Sequence, residues 1–376
     1  MDLSQYLRWD PGAPRNDYQE NFRRQAEERF SAALAHLGES FPQVSDAIIE
    51  MTAEIPATSV LRVAHAPELE YQSRAARGSA AATAALAGFL CDSLQAELLL
   101  LDQRNVPAIS GTLWTALGDY GFSIAPNEEQ ETSKHSRKIA HDRLRVLKAP
   151  AIGDRIPVDF VSPHGRTDIP IRFPVCKPFS TREQDLVVKR LREAFQIIRI
   201  AGPELTELVI TFTMVLLPLK VEGDSHSFGS FSSNWYPGRS VLVNPDSPEM
   251  KMPDLVEALL HEAIHSVIDV SELKNHLVVN GCHSMPNVIS PWTGASIVLT
   301  GLLDAYFVWF GLLWFWLNAA ERNAFPKDIC DQRIQQCRRG FVPEFSTVIP
   351  GEALPIVHPL AGEMIQELRK TLLSAS

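Results

Sequence analysis

Residues 252–270 read Met-Pro-Asp-Leu-Val-Glu-Ala-Leu-Leu-His-Glu-Ala-Ile-His-Ser-Val-Ile-Asp-Val. Pro253 and Asp254 suit a first helical turn, where a missing amide hydrogen costs nothing and a carboxylate meets the positive end of the peptide dipoles. The Leu, Val, Ile and Ala that follow predict a helix over 254–270. On it His261 and His265 lie one turn apart, so both imidazoles leave one face and can reach one ion. Glu262 stands beside them, within reach of a bound water or ligand. His261-Glu262-Ala263-Ile264-His265 is thus an HExxH motif. Two histidines and a glutamate in so apolar a helix are costly to bury without a site to serve, which makes a metal centre the expected role. The alternative is a pair of surface or hydrogen-bonded core histidines.

Upstream, residues 229–243 (GSFSSNWYPGRSVLV) read as a strand, a Pro237-Gly238 turn and a second strand leading into the motif helix. Residues 207–216 (ELVITFTMVL) are apolar and β-branched, the composition of a buried strand. A helix is expected over 181–201, with short strands over 156–161 and 169–175. Residues 127–150 are polar and charged of both signs, and read as a connecting arm or, equally, as a solvated helix surface. Nearer the start, Phe22, Ala26, Phe30, Ala33 and Leu37 trace one helical face, and the Ala-rich run 75–102 reads as a longer helix. The expected fold class is therefore α+β, mostly helical. A helical N-terminal region (1–148) would precede an HExxH metal-binding domain (149–376) in which a small sheet packs on the motif helix.

Downstream, residues 296–320 (SIVLTGLLDAYFVWFGLLWFWLNAA) are long and apolar enough to be scored as a membrane span. Three features favour the central helix of a globular domain. The flanks lack Lys/Arg clusters, no other stretch resembles this one, and Asp304 lies inside it, where lipid would penalise a carboxylate. No membrane association is expected. Across the 376 residues, 45% are hydrophobic and 21% charged, as in ordinary globular chains. The formal charge of -10 repels a phosphate backbone, which argues against nucleic acid as a partner. Cys91, Cys176, Cys282, Cys330 and Cys337 include no CxxC pair, and the first ten residues show no basic region followed by an apolar stretch. A reducing, cytoplasmic location is expected.

A metal site needs a third protein ligand. Asp304, the ionisable residue within the apolar helix 297–317, is the leading candidate, since coordination to a divalent cation would relieve its desolvation. Two histidines and one carboxylate form the facial set that suits non-haem Fe(II) and leaves positions open for a cosubstrate and O2. His283, His276 and Glu272 are rivals, and His283 would suit tetrahedral zinc. Asp304 could instead pair with Arg322 or Arg339.

The order of Pro237-Gly238, Glu257-Ala258-Leu259-Leu260-His261-Glu262-Ala263-Ile264-His265, Ser290-Pro291-Trp292, Gly301-Leu302-Leu303 and an aromatic helix ending at Phe315 to Leu317 resembles the alpha-ketoglutarate-dependent HExxH-type peptide beta-hydroxylases. The resemblance covers about 225–317. It implies that His261 and His265 hold iron, that alpha-ketoglutarate is the cosubstrate, and that a side-chain carbon of a ribosomally made peptide is hydroxylated. Thr293 and Ile297 stand where family members tend to carry arginines. A cosubstrate carboxylate calls for an arginine fork, and Arg239 and Arg322 are the candidates for it.

A different chemistry is also open. A zincin-like metallopeptidase would use Glu262 as general base on a zinc-bound water and pair an extended peptide with the hairpin edge at 231–243. The glycine-and-histidine extension of the best-known such signature is absent, since Asp269-Val270-Ser271-Glu272 follows the motif. A non-enzymatic module that holds a metal for stability has no need of a glutamate next to the first ligand.

Overall fold

The computed structural model describes residues 7, 15–101, 111–124, 144–173, 175–222, 228–272, 277–279 and 285–374, with the side chains of 15–17, 271–272 and 373–374 left aside. The chain is mostly helical with small sheets and forms two compact units, one of residues 19–189 and 213–250, the other of 1–18, 190–212 and 251–376. The cut expected at 148–149 falls inside the first unit, because each unit is assembled from separate stretches of chain.

In the first unit, α1 (Arg15–Ser40), α2 (Pro42–Glu54), α3 (Ala57–Ala64), α4 (Pro67–Ala76) and α5 (Ala80–Leu101) enclose a core that includes Ala26, Phe30, Leu37, Ile48, Leu69, Leu86 and Leu90. The stripe from Phe22 to Leu37 is buried as its spacing predicts. The single helix expected over 75–102 is two helices instead. Ser79 Oγ accepts the Ala82 amide at 3.2 Å, starting α5 afresh just after Gly78.

Strands β1 (Thr112–Trp114), β2 (Tyr120–Ile124) and β3 (Leu144–Lys148) form an antiparallel sheet in which Phe122 pairs with Leu113 on one side and Val146 on the other. The connecting arm read at 127–150 lies outside the described residues up to 143 and ends as β3. A short ribbon, β4 (Ala151–Ile152) with β5 (Ile156–Pro157), follows, so the strand expected over 156–161 shrinks to two residues and a bridge from Val158 to Leu216. The strand expected over 169–175 is replaced at its start by one helical turn, α6 (Ile169–Arg172). Pro170 sets the φ of that turn, and the Phe173 amide returns to the Ile169 carbonyl at 2.8 Å.

β6 (Cys176–Lys177) leads through α7 (Thr181–Ala201), which has the limits expected, to α8 (Pro203–Phe212). Here composition misleads, because 207–212 is helical and strand β7 (Val215–Val221) begins only after it. Pro203 and Glu204 open the helix, and Leu205, Leu208, Val209 and Phe212 bury one face at a 3.6-residue period, which outweighs the β-branched content. With β8 (Gly229–Phe231) and β9 (Arg239–Val243), β7 completes a sheet of order β6-β7-β9-β8 in which β7 and β9 are parallel. The hairpin read at 229–243 is present, with Gly229 opposite Val243 and Phe231 opposite Val241. Its turn needs Gly238, which holds φ at +86° with Met214 so close that a Cβ would come within 2.7 Å of Cγ.

His164 is a neutral histidine in this unit. Its ring meets Phe89 edge-on at 5.1 Å, and burial lowers its pKa to about 4. An unfolded histidine titrates near 6.5, so between those values the unfolded chain binds the extra proton and stability falls as pH falls. At 1.36 kcal/mol per pKa unit, this one group removes about 2 kcal/mol between pH 7 and pH 5. Urea unfolding of wild type and His164→Gln at both pH values should show that extra loss in wild type alone. Equal losses would mean that His164 is protonated in the folded chain.

The second unit holds the motif helix, α9 (Met252–Glu272), packed against α8 and α10 (Leu299–Glu321); α10 also packs on α11 (Lys327–Arg339) and α13 (Pro359–Ser374), with α12 (Phe345–Val348) between them in sequence. Within its own unit the motif helix thus packs on the two helices α8 and α10, whereas the four-stranded sheet belongs to the other unit. A hairpin of β10 (Asn287–Ile289) and β11 (Ser296–Val298) precedes α10. Among the described residues, two helices are long and apolar enough to cross a membrane, α10 and α5, so the apolar run at 296–320 has a counterpart in the Ala/Leu-rich 80–101. About two thirds of the apolar window of α10 is buried inside the protein, and half of that of α5.

Trp292, from the Pro-Trp pair of the sequence resemblance, is a packing residue. Its indole donates to the Cys337 carbonyl at 2.8 Å, stacks on Trp309 and meets Tyr306 and Phe341 edge-on. Gly340 closes α11 directly against it, and a Cβ there would lie 2.0 Å from the indole ring. The ring is held on several sides and cannot yield, so Gly340→Ala should destabilise the chain by about 3 kcal/mol, the upper end for overpacking. A thermal midpoint equal to that of wild type would show that the ring does move.

Candidate metal centre

Buried Leu255, Val256, Leu259, Leu260, Ala263, Ile264, Val267 and Ile268 make α9 apolar over most of its circumference. Against that background His261 and His265 emerge together, ring centroids 4.8 Å apart and planes inclined by 58°. Their Nε2 atoms are 3.1 Å from each other. Two lone pairs do not approach so closely unaided. Either one nitrogen carries its proton and donates to the other, or both lone pairs face one cation. Two nitrogens bound at about 2.1 Å to a shared ion stand about 3.0–3.4 Å apart at angles between 90° and tetrahedral, so the pair fits such an ion.

Both side chains are half-buried. Desolvation lowers each pKa to about 4; for His265 the neighbouring His261 adds to the fall and Glu262 opposes it. The imidazoles are therefore neutral at neutral pH, the form in which they donate to a metal. Glu262 is buried, and its backbone carbonyl accepts the Ser266 hydroxyl at 3.1 Å.

Among the described residues, no three His, Cys, Asp or Glu side chains gather into one metal-sized cluster. Asp304 is half-buried on α10, which packs against the motif helix, but it does not form such a group with the two histidines. His276 and His283 lie outside the described residues, as does the side chain of Glu272. Arg322 and Arg339, the arginines considered as partners for Asp304, are both exposed. No family model matches the chain, and no curated protein is significantly similar to it.

The two arginines considered for the cosubstrate occupy quite different places. Arg239 is fully buried in the first unit, where it grips Asp168 with both arms, Nη1 to Oδ1 at 2.6 Å and Nη2 to Oδ2 at 2.8 Å. Nη1 also donates to the Gly165 carbonyl at 2.5 Å, and the guanidinium lies 3.9 Å over the Tyr236 ring, which stacks on Tyr71. The fork that a cosubstrate carboxylate would need is already filled, which corrects the expectation for Arg239. Arg322 caps the C-terminus of α10, eighteen residues beyond Asp304 and so about 27 Å along the helix. Asp304 and Arg322 cannot serve one small-molecule site.

Sequence reading overlooked Glu257, one turn before His261. Its Oε1 accepts the Trp316 indole N–H at 2.5 Å and its Oε2 accepts Arg333 Nη1 at 2.7 Å, while Arg333 Nη2 reaches Asp254. The available signal was spacing: Asp254, Glu257, His261 and His265 recur at 3, 4 and 4 residues, a polar stripe on an apolar helix.

Proposed function

We propose that the chain is a non-haem Fe(II)- and alpha-ketoglutarate-dependent oxygenase that hydroxylates a side-chain carbon of a ribosomally made peptide. The observation that carries the metal half of this reading is the 3.1 Å convergence of two neutral Nε2 atoms on the motif helix. The residue order over 225–317 supports the choice of an oxygenase. His261 and His265 would fill two positions of the ion; Asp304, the carboxylate that would complete a facial set with them, is not gathered with the pair among the described residues. When bound, Fe(II) supplies the activation of O2 that couples oxidation of the peptide to decarboxylation of alpha-ketoglutarate to succinate. The chain's own part is to present both imidazoles deprotonated, so that no proton need leave on binding, and to keep the Glu262 carboxyl group beside His265. Arg239 lies outside this assignment, because Asp168 already holds its fork.

The test is metal analysis of anaerobically purified protein together with succinate formation from alpha-ketoglutarate and O2. Iron near one per chain, with succinate formed, is the expected result. Zinc in place of iron, with peptide cleavage and no succinate, would replace the oxygenase by a metallopeptidase using Glu262 as base.

A further inference from the structure

We infer that Glu257 is a positioning residue for the histidine pair, a role that rests on the metal reading above. A helix buried nearly all round is held at its depth by apolar contacts, but these are non-directional and leave its rotation about its own axis weakly specified. Glu257 supplies the direction. One carboxylate oxygen accepts from Trp316 on α10 and the other from Arg333 on α11, so a single side chain ties the motif helix to two neighbours at distinct angles. Arg333 spans to Asp254 on the preceding turn, which fixes the stripe at a second point. At 100° per residue, His261 lies 40° around the helix from Glu257, and His265 a further 40°. Locking Glu257 therefore sets the azimuth at which both imidazoles leave the helix. The charge-assisted bonds are well suited to this task, since geometry rather than contact area governs them.

Cobalt(II) binding reads this role directly, through affinity and through the visible absorption that reports the ligand field. Glu257→Gln keeps the shape and still accepts the indole N–H but loses the anionic partner of Arg333; Arg333→Met removes the same bond from the other side. Both should weaken cobalt binding by about 10–100-fold, the effect of losing the outer partners that orient ligands, and should alter the visible spectrum. Arg333→Lys, which keeps the charge, should recover part of each. Arg62→Met serves as the control for general destabilisation. It breaks ion pairs of similar length to Glu97 and Asp119 in the other unit and should leave cobalt affinity unchanged. Wild-type affinity and spectrum in both Glu257→Gln and Arg333→Met, with only the thermal midpoint lowered, would overturn the positioning role. A wild-type cobalt spectrum indifferent to His261→Ala would instead sink the metal reading itself, an outcome seen before any Glu257 variant is made.

Discussion

Replacing His261 or His265 with alanine is expected to abolish metal binding while the chain remains folded. Each histidine supplies one of two donors whose Nε2 atoms stand 3.1 Å apart, so neither can compensate for the other. The loss should exceed the roughly 10–100-fold that follows removal of a ligand's outer partner. Folding should be affected little, because both rings are neutral and only half-buried, and α9 keeps its apolar contacts. The same groups give the site a pH signature. Folded pKa values near 4, against about 6.5 unfolded, mean that the histidines' contribution to apoprotein stability is complete above pH 6.5 and declines as pH falls toward 4. Equilibrium dialysis with Fe(II) or Co(II), alongside far-UV circular dichroism, checks both halves. Full metal content in the two variants would refute the site.

Arg239→Met is expected to destabilise the protein by about 3–5 kcal/mol, the cost of leaving one member of a buried ion pair alone. Arg239 is completely enclosed, and Asp168 would lose both arms of its partner. The Gly165 carbonyl would lose its donor as well, in a loop whose Gly165 amide is already held by Glu68 at 2.6 Å. Arg239→Lys should recover only part of this, since an ammonium cannot reproduce the bidentate fork or the stacking on Tyr236. Denaturant unfolding measures the difference. A stable Arg239→Met variant with weakened alpha-ketoglutarate binding would return this residue to the cosubstrate role that the sequence first suggested for it.

The contrast between Arg239 and Glu257 explains how much of the candidate site was legible. Arg239 stands in a hairpin near the motif, which suggests a place in the site, but nothing in the local sequence shows that Asp168, seventy-one residues earlier, fills its fork. Glu257 carries no local mark of its role, since its partners Arg333 and Trp316 come from helices 76 and 59 residues away. His261 and His265 were legible because one helical turn is a local rule, independent of what packs around it.

The fold divides along the same line. Helix α7, the 229–243 hairpin, the buried stripe of α1 and the helical nature of 252–272 follow from spacing and turn chemistry within some twenty residues, and local sequence was enough to set them. The pairing of the two imidazoles on one face is set in the same way. It took the packed chain to establish that 203–212 is a helix, that the motif helix packs on α8 and α10 within its own unit, and that the chain's units are interleaved rather than consecutive. The physical reason is that composition gives a segment's preference at roughly a kcal/mol or less per residue. Burial of a whole apolar face and the filling of each buried charge by a distant partner are worth several times that, and both depend on residues far away in sequence.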